Sequence, residues 1–288
     1  MRQITVLSGK GGTGKTSLTA SFAALTQSLV IGDCDVDAPN LHLLLNPTIV
    51  ETQEFKGSQV AVIDDAKCVQ CGKCEAACRF HAIHDLMIDP VLCEGCGVCA
   101  YLCPTDAISL DVQLDGYAFI STTKFGPMAH ARLNPGQENS GKLVTLVRQN
   151  ARRIAEKEKI ELVLIDGPPG IGCPVIASIT GVDAGLIVVE PTLSGIHDLE
   201  RALSLINHFR IPAFVCVNKA DLNAENTARI IAFCEDNEVR VIGRIPFDPL
   251  VTKAMVAATP VVEYAPTSRV ADEIKNAWAC LRAAVTAC

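Results

Sequence analysis

Eight of the fourteen cysteines fall in two runs, Cys68-x2-Cys71-x2-Cys74-x3-Cys78 and Cys93-x2-Cys96-x2-Cys99-x3-Cys103, and Pro104 follows the second run directly. The runs repeat at an offset of 25 residues, and the repeat extends beyond the thiols: Ala82 and Ile83 correspond to Ala107 and Ile108. A repeat that keeps apolar residues as well as ligands describes a folding unit with pseudo-twofold halves. Runs of this spacing hold 4Fe-4S clusters, and in two-cluster proteins the fourth cysteine of each run ligates the other cluster. The spacing therefore predicts one cluster on Cys68, Cys71, Cys74 and Cys103, and a second on Cys93, Cys96, Cys99 and Cys78. Zinc and a disulfide framework are the alternatives. Zinc ligands usually come as separated pairs, and disulfides require an oxidising compartment.

The spacing is that of bacterial dicluster ferredoxins, which the segment 59–112 resembles. Arg79 stands where the second run has Pro104, so the two cluster surroundings are predicted to differ. Residues 61–112 carry eight acidic and three basic side chains, which places −5 of the chain's net charge of −7 in this segment. Nucleic-acid binding needs a basic surface, which this chain lacks. An acidic surface fits a basic patch on a protein partner.

With 288 residues and 49% hydrophobic content, the rest of the chain suffices for one sizeable domain, so two domains are expected: 1–58 with 113–288, and the insert 59–112. Met1-Arg2-Gln3 runs directly into Ile4–Leu7 without a signal-peptide pattern, and no apolar run reaches spanning length, so a cytoplasmic protein is expected. The six cysteines outside the runs, Cys34, Cys173, Cys216, Cys234, Cys280 and Cys288, suit a reducing compartment.

Continuous apolar runs at Ile4–Leu7, Leu29–Ile31, Leu162–Ile165, Leu186–Val189, Ala213–Val217 and Val239–Ile242 mostly precede helical stretches such as Thr16–Leu25, His197–His208 and Ala224–Glu235. This alternation predicts an α/β fold, a mostly parallel sheet with helices on both faces, carrying the small inserted α+β domain. Tyr117–Gly141, with its Gly-Pro, Pro-Gly and Ser-Gly pairs, reads as short strands and a long loop ahead of a helix at Lys142–Glu158.

Gly9-Lys10-Gly11-Gly12-Thr13-Gly14-Lys15-Thr16, followed by Ser17, matches the P-loop pattern between a strand and a helix. The glycines let consecutive backbone N–H groups wrap a phosphate, and the helix N-terminus adds its dipole. Lys15 reaches the β- and γ-phosphates, and Thr16 offers a hydroxyl to Mg2+. Leu162–Ile165 ends in Asp166, a Walker-B-like magnesium carboxylate, followed by Gly167-Pro168-Pro169-Gly170 as a candidate γ-phosphate sensor. Asn218-Lys219-Ala220-Asp221 has the N-K-x-D form that reads guanine in GTPases, so the residues alone leave GTP open beside ATP.

The second lysine of the loop, Lys10, makes it resemble the deviant P-loop of the MinD/ParA/Mrp class, to which the nitrogenase iron protein is related. The resemblance covers nearly the whole chain. It implies that Lys10 reaches the phosphates of the other subunit in a nucleotide-sandwich dimer, either a homodimer or a heterodimer with a paralogue. It implies that Asp33-Cys34-Asp35-Val36-Asp37 is switch I, with Asp33 in the magnesium shell and Asp35 positioning water; Asp37 matches less clearly and could cap the next helix. It also implies ATP, with Asn218 and Asp221 near the base and Pro246 and Phe247 in a loop closing over it. Ile245–Pro249 and the continuation through Lys253, Pro260 and Glu263-Tyr264 resemble MinD-type ATPases that contain an inserted ferredoxin domain.

Cys34 lies inside switch I and Cys173 just beyond switch II, and both are candidate metal ligands, though small buried hydrophobes are the commoner reading of such residues. Cys216 reads as core. His81 and His84 could tune a cluster, and His130 and Arg132 could approach a partner from the long loop. The segment Ile274–Ala287, with only Lys275 and Arg282 basic, is a poor membrane anchor. The function expected from these signals is an Mg2+-dependent ATPase whose dimer rearrangement controls electron delivery by two clusters to a redox or metal-cofactor-binding protein. The alternative is a cluster scaffold or carrier ATPase, and the remaining one is MinD/ParA-like positioning.

Overall fold

The structure, a computed structural model, describes residues 1–137 and 139–287. Cys288 lies outside them. The strands in chain order are β1 (Arg2–Ser8), β2 (Val30–Asp33), β3 (Thr48–Ile63), β4 (Ile83–His84), β5 (Met87–Ile88) and β6 (Ile108–Thr123). They continue with β7 (Gly126–Leu133), β8 (Leu162–Pro169), β9 (Ala184–Val189), β10 (Ala213–Asn218) and β11 (Arg240–Ile245). The helices are α1 (Lys15–Ala24), α2 (Leu41–Leu45), α3 (Lys73–Ala77), α4 (Val98–Leu102), α5 (Ser140–Glu158) and α6 (Cys173–Ile179). After them come α7 (Leu193–His208), α8 (Ala224–Asp236), α9 (Pro249–Val256), α10 (Val261–Tyr264) and α11 (Arg269–Ala287).

Nine strands form one sheet in the order β11-β10-β9-β1-β8-β2-β7-β6-β3. From β11 to β7 every neighbouring pair is parallel, and the apolar runs of β1, β8, β9 and β10 are buried on both faces as such a sheet demands. Central β1 lies between β8 and β9, so the turn that leaves it opens at a point where the strand order reverses, the usual place for a ligand crevice. Helix starts follow side-chain chemistry. Thr192, Asn223 and Asp248 accept hydrogen bonds from the first-turn amides of α7, α8 and α9. Helix α11 buries Val270, Ala271, Ile274, Ala277, Trp278 and Leu281, with Trp278 stacked on Phe22 at 4.7 Å between centroids. Among the described residues no helix is long and apolar enough to cross a membrane.

The chain divides into two compact units, one of residues 1–52, 118–132 and 140–288, the other of 53–117 and 133–139. The second unit is wider than the segment 59–112 marked by the cysteines, because the long strands β3 and β6 carry the chain into and out of it. Of the long loop expected over Tyr117–Gly141, the described residues keep only the short connection around Pro135 and Gly136. Gly126 and Pro127 begin strand β7, Lys124 and Phe125 form a two-residue turn, and helix α5 starts at Ser140. His130 is accordingly not a loop residue free to meet a partner. It is buried on β7, its Nε2 sharing a 2.8 Å hydrogen bond with Ser121 Oγ, and burial pushes its pKa down to about 4. Arg132, also on β7, is exposed.

Candidate functional site

The turn after β1 carries the phosphate-loop pattern into α1 over residues 9–14. Gly14 sits in left-handed space at φ 91°, and a Cβ there would lie 2.2 Å from Asn218 Nδ2, so only glycine allows this turn to close against β10. Asn218 Nδ2 donates to the Thr13 carbonyl at 2.7 Å. The loop lines a cleft of about 770 Å3 with Gly11, Gly12, Thr13, Gly14, Lys15, Thr16, Ser17, Asp35, Asn218, Pro246 and Phe247. That volume lies within the usual range of a small-molecule site.

Beneath the loop, the sheet register sets Asp33 of β2 beside Asp166 of β8. Lys15 Nζ donates to Asp166 Oδ1 at 2.8 Å, and Asp166 also accepts from Thr16 Oγ1 at 2.7 Å and Thr19 Oγ1 at 2.9 Å. Asp33 is fully buried and its Oδ2 has no partner. Burial and the neighbouring Asp166 hold its carboxyl well above the usual range, against the opposing pull of Lys15. Asp35, half buried at the cleft wall, is also raised, first by burial. Three carboxylates thus share one buried ammonium, and one oxygen is left without a donor. This surplus fits a hard divalent cation such as Mg2+, whose charge would satisfy Asp33.

Lys10 faces a different neighbour. Its Nζ pairs with Glu190 at 2.6 Å and donates to Ser194 Oγ at 2.9 Å. Glu190 also pairs with Lys219 at 3.0 Å, and Lys219 reaches the Gly12 carbonyl at 3.0 Å. Burial pushes the Glu190 carboxyl up, but hydrogen bonds from Lys10 and Lys219 outweigh it and hold the pKa below its usual value. Gly9 and Lys10 line a small hollow with Asp198 and Gly195 rather than the main cleft.

Asp221 is placed apart from the cleft. Its Oδ1 accepts from the Phe247 backbone N–H at 2.7 Å, so it holds the loop that carries Phe247 instead of facing a base. Leu43, Leu44, Val251, Thr252 and Met255 line the cleft without having been anticipated. They come from α2 and α9, whose approach no motif announces. Glu190 was missed as well; the only sequence hint was an acid directly after the apolar strand β9.

In the other unit the eight cysteines fall into two sets across the repeat. Cys68, Cys71, Cys74 and Cys103 line one hollow, and Cys78, Cys93, Cys96 and Cys99 line another. The 25-residue offset survives in the backbone: α3 and α4 begin after left-handed Gly72 and Gly97, at φ 69° and 76°. It survives in the sulfur contacts too, since Ala82 N–H donates to Cys78 Sγ and Ala107 N–H to Cys103 Sγ, both at 3.3 Å. Gln70 and Ala61 N–H groups donate to Cys68 and Cys93 Sγ at 3.4 and 3.5 Å. Hydrogen bonds from the Thr105 and Ala107 backbone lower the Cys103 pKa. Among the described residues no three His, Cys, Asp or Glu side chains converge on one point as a mononuclear metal requires. The eight thiols, four to a hollow and with backbone donors to sulfur, are the residues that could hold iron–sulfur groups.

Cys34 is fully buried and burial pushes its thiol up, while Cys173 is exposed at the start of α6. Cys216 is in the core, and His81 and His84 are exposed.

The family described as the CobQ/CobB/MinD/ParA nucleotide binding domain matches residues 4–261. An uncharacterized protein of Methanocaldococcus jannaschii is 35% identical over 96% of this chain and 95% of its own. The iron-sulfur cluster carrier protein of Pyrococcus abyssi is 23% identical over 92% of this chain and 80% of its own. Among solved structures, the cell division ATPase MinD of Pyrococcus furiosus superposes with a TM-score of 0.60 at 18% identity, covering 98% of this chain and 99% of that one, a likeness of fold.

Proposed function

The chain belongs to the CobQ/CobB/MinD/ParA nucleotide-binding family, and we propose that it is an Mg2+-dependent ATPase carrying two 4Fe-4S clusters, whose nucleotide state governs the use of those clusters. The observation that carries the proposal is that one chain holds both the grouping of the eight thiols around two hollows and an intact phosphate loop. Backbone amides of residues 11–14 and the α1 N-terminus bind the phosphates. Lys15 exchanges Asp166 for phosphate oxygens, while Thr16, Asp33 and Asp166 are the groups to hold Mg2+, which supplies charge stabilisation to the transferring phosphoryl group. Asp35, on the cleft wall, orients the attacking water. Lys10 leaves Glu190 to serve the nucleotide of the partner in a sandwich dimer, a homodimer or a pair with a paralogue. ATP rather than GTP is favoured because Asp221 is occupied by the Phe247 amide.

The clusters are handled as cargo in the first reading, which the name of the Pyrococcus abyssi relative supports. Electron delivery to a redox or cofactor-binding protein is the second reading, favoured by ligands that cross between the halves and by N–H donors on four sulfurs. Such ligation builds a cluster into the fold rather than holding it for release. Anaerobic protein should contain about eight iron and eight sulfide per chain. Mixing it with an excess of an apo-ferredoxin, with and without ATP, separates the readings: cluster loss accelerated by ATP supports the carrier, and full retention supports electron delivery. Bound zinc without sulfide would overturn both.

A further inference from the structure

The two halves of the cysteine unit match in backbone but not in surface. At the 25-residue offset, Val91, Leu92, Val98, Tyr101 and Leu102 replace Ala66, Lys67, Lys73, Ala76 and Ala77. The five large apolar residues are all exposed, Tyr101 at 90% and Val91 at 82%. One position runs the other way, with exposed Val69 opposite Glu94. Val98, Tyr101 and Leu102 share one face of α4 by their spacing, and none of the helix is buried. Val98 also lines the hollow of Cys78, Cys93, Cys96 and Cys99. Charge follows the same division. All three basic residues of 61–112, Lys67, Lys73 and Arg79, are in the first half, whereas 86–112 holds Asp89, Glu94, Asp106 and Asp111 with no basic residue.

We propose that the exposed face of α4, Val98, Tyr101 and Leu102, with Glu94 on the hollow that Val98 also lines, is the docking surface for a protein whose contact patch is apolar at its centre and ringed by lysine or arginine. Solvent exposure of five large apolar groups in so small a unit is disfavoured unless a partner covers them. Four acids and no cation over 86–112 select a basic partner and repel a second copy of the same segment. The opposite half has lysine or alanine at the five matching positions and offsets its four acids with three cations. The proposal rests on the reading that the hollows hold clusters, because it places the partner beside one of them.

The test uses the anaerobic iron-loaded chain and, in the dark, zinc-substituted cytochrome c, which is redox-silent in its ground state and presents an apolar cofactor edge among lysines, with binding read by titration calorimetry. Tyr101→Ser is expected to weaken binding by about fivefold or more, the effect of losing an aromatic anchor, and Tyr101→Phe to restore it. Glu94→Gln with Asp111→Asn should weaken binding by about tenfold at low salt, while Asp65→Asn with Glu75→Gln, the same change of charge on the other half, should cost less than about twofold. Equal losses from the two charge pairs, or no loss in Tyr101→Ser, would overturn the proposal. So would a Tyr101→Ser variant that changes the oligomeric state of the chain alone, since a second copy would then be what covers the face. Iron and sulfide analysis on every sample shows separately whether the cluster reading has failed.

Discussion

Around the phosphate loop a continuous apolar core runs from Ile4 and Phe22 through Leu164 and Leu186 to Trp278 and Leu281, whereas around the cysteines the buried cluster is Ala61, Cys74, Ile83 and Ile108. The thiols Cys78, Cys93, Cys99 and Cys103 pack against that small cluster as part of it. A core this small leaves little burial to set against the entropy of ordering the chain. If the thiols hold clusters, as proposed above, cluster binding would supply folding energy to the second unit and not to the first. The two units also treat charge differently. In the first, buried acids converge on a lysine and await a cation, and in the second the acids are spread over the surface.

The largest expected effect exploits this difference. Anaerobic removal of iron with a chelator should release amide protection over residues 61–110 by orders of magnitude in hydrogen exchange, leaving β1, β8 and β9 protected. Loss of protection in both units together, or in neither, would erase the contrast. Next comes Lys15→Ala, which removes charge-assisted bonds to phosphate and should weaken ATP binding by about 10- to 100-fold without altering the iron content. Equilibrium binding of a fluorescent ATP analogue, beside iron analysis, checks it.

Asp33→Asn sharpens the electrostatic half of the comparison. Because the Asp33 pKa is raised in the folded chain, the folded state holds the proton more tightly than the unfolded one. Stability from this group is therefore greatest at low pH and declines as pH rises above the ordinary carboxylate value. The nucleotide-free Asn variant should be more stable than the parent near neutrality by about 1–3 kcal/mol. The gain should vanish near pH 4, and the stabilisation that Mg2+ adds with nucleotide should be lost. A gain independent of pH, followed by thermal melts across that range, would show that the buried charge is not the cause. The smallest effect belongs to Glu190→Gln. Its pairs with Lys10 and Lys219 are partly exposed, so stability should change by less than about 1 kcal/mol. Freed Lys10 should nevertheless promote ATP-dependent dimerisation in sedimentation, while Lys10→Ala should bind nucleotide and fail to form a hydrolytically active dimer.

The repeat of the cysteines, the phosphate loop and the apolar runs were legible because each is local. A run of four thiols, a glycine turn before a lysine and a strand buried on both faces all declare themselves within a dozen residues. The parallel sheet follows that reading. Strand β3 was not legible, since most of its residues are polar or exposed, and β6 mixes polar and apolar residues without the continuous apolar run of the parallel strands. His130 was misplaced for a related reason: the Gly126-Pro127 pair signals a turn, but tertiary pairing of β7 with β2 carried the segment into the sheet, while Pro135-Gly136 does form a turn.

What the sequence determined by itself is the chemistry at each position: which side chains can bind phosphate, magnesium or iron, and on which strand or turn they ride. Only the tertiary structure decided which of them meet. It set Asp33 against Asp166 through strand register, turned Asp221 to the Phe247 amide, joined Lys10 to Glu190 and brought α2 and α9 to the cleft. The physical reason is that local motifs are written by short-range backbone geometry, whereas partners far apart in the chain are chosen by packing, which no single segment encodes.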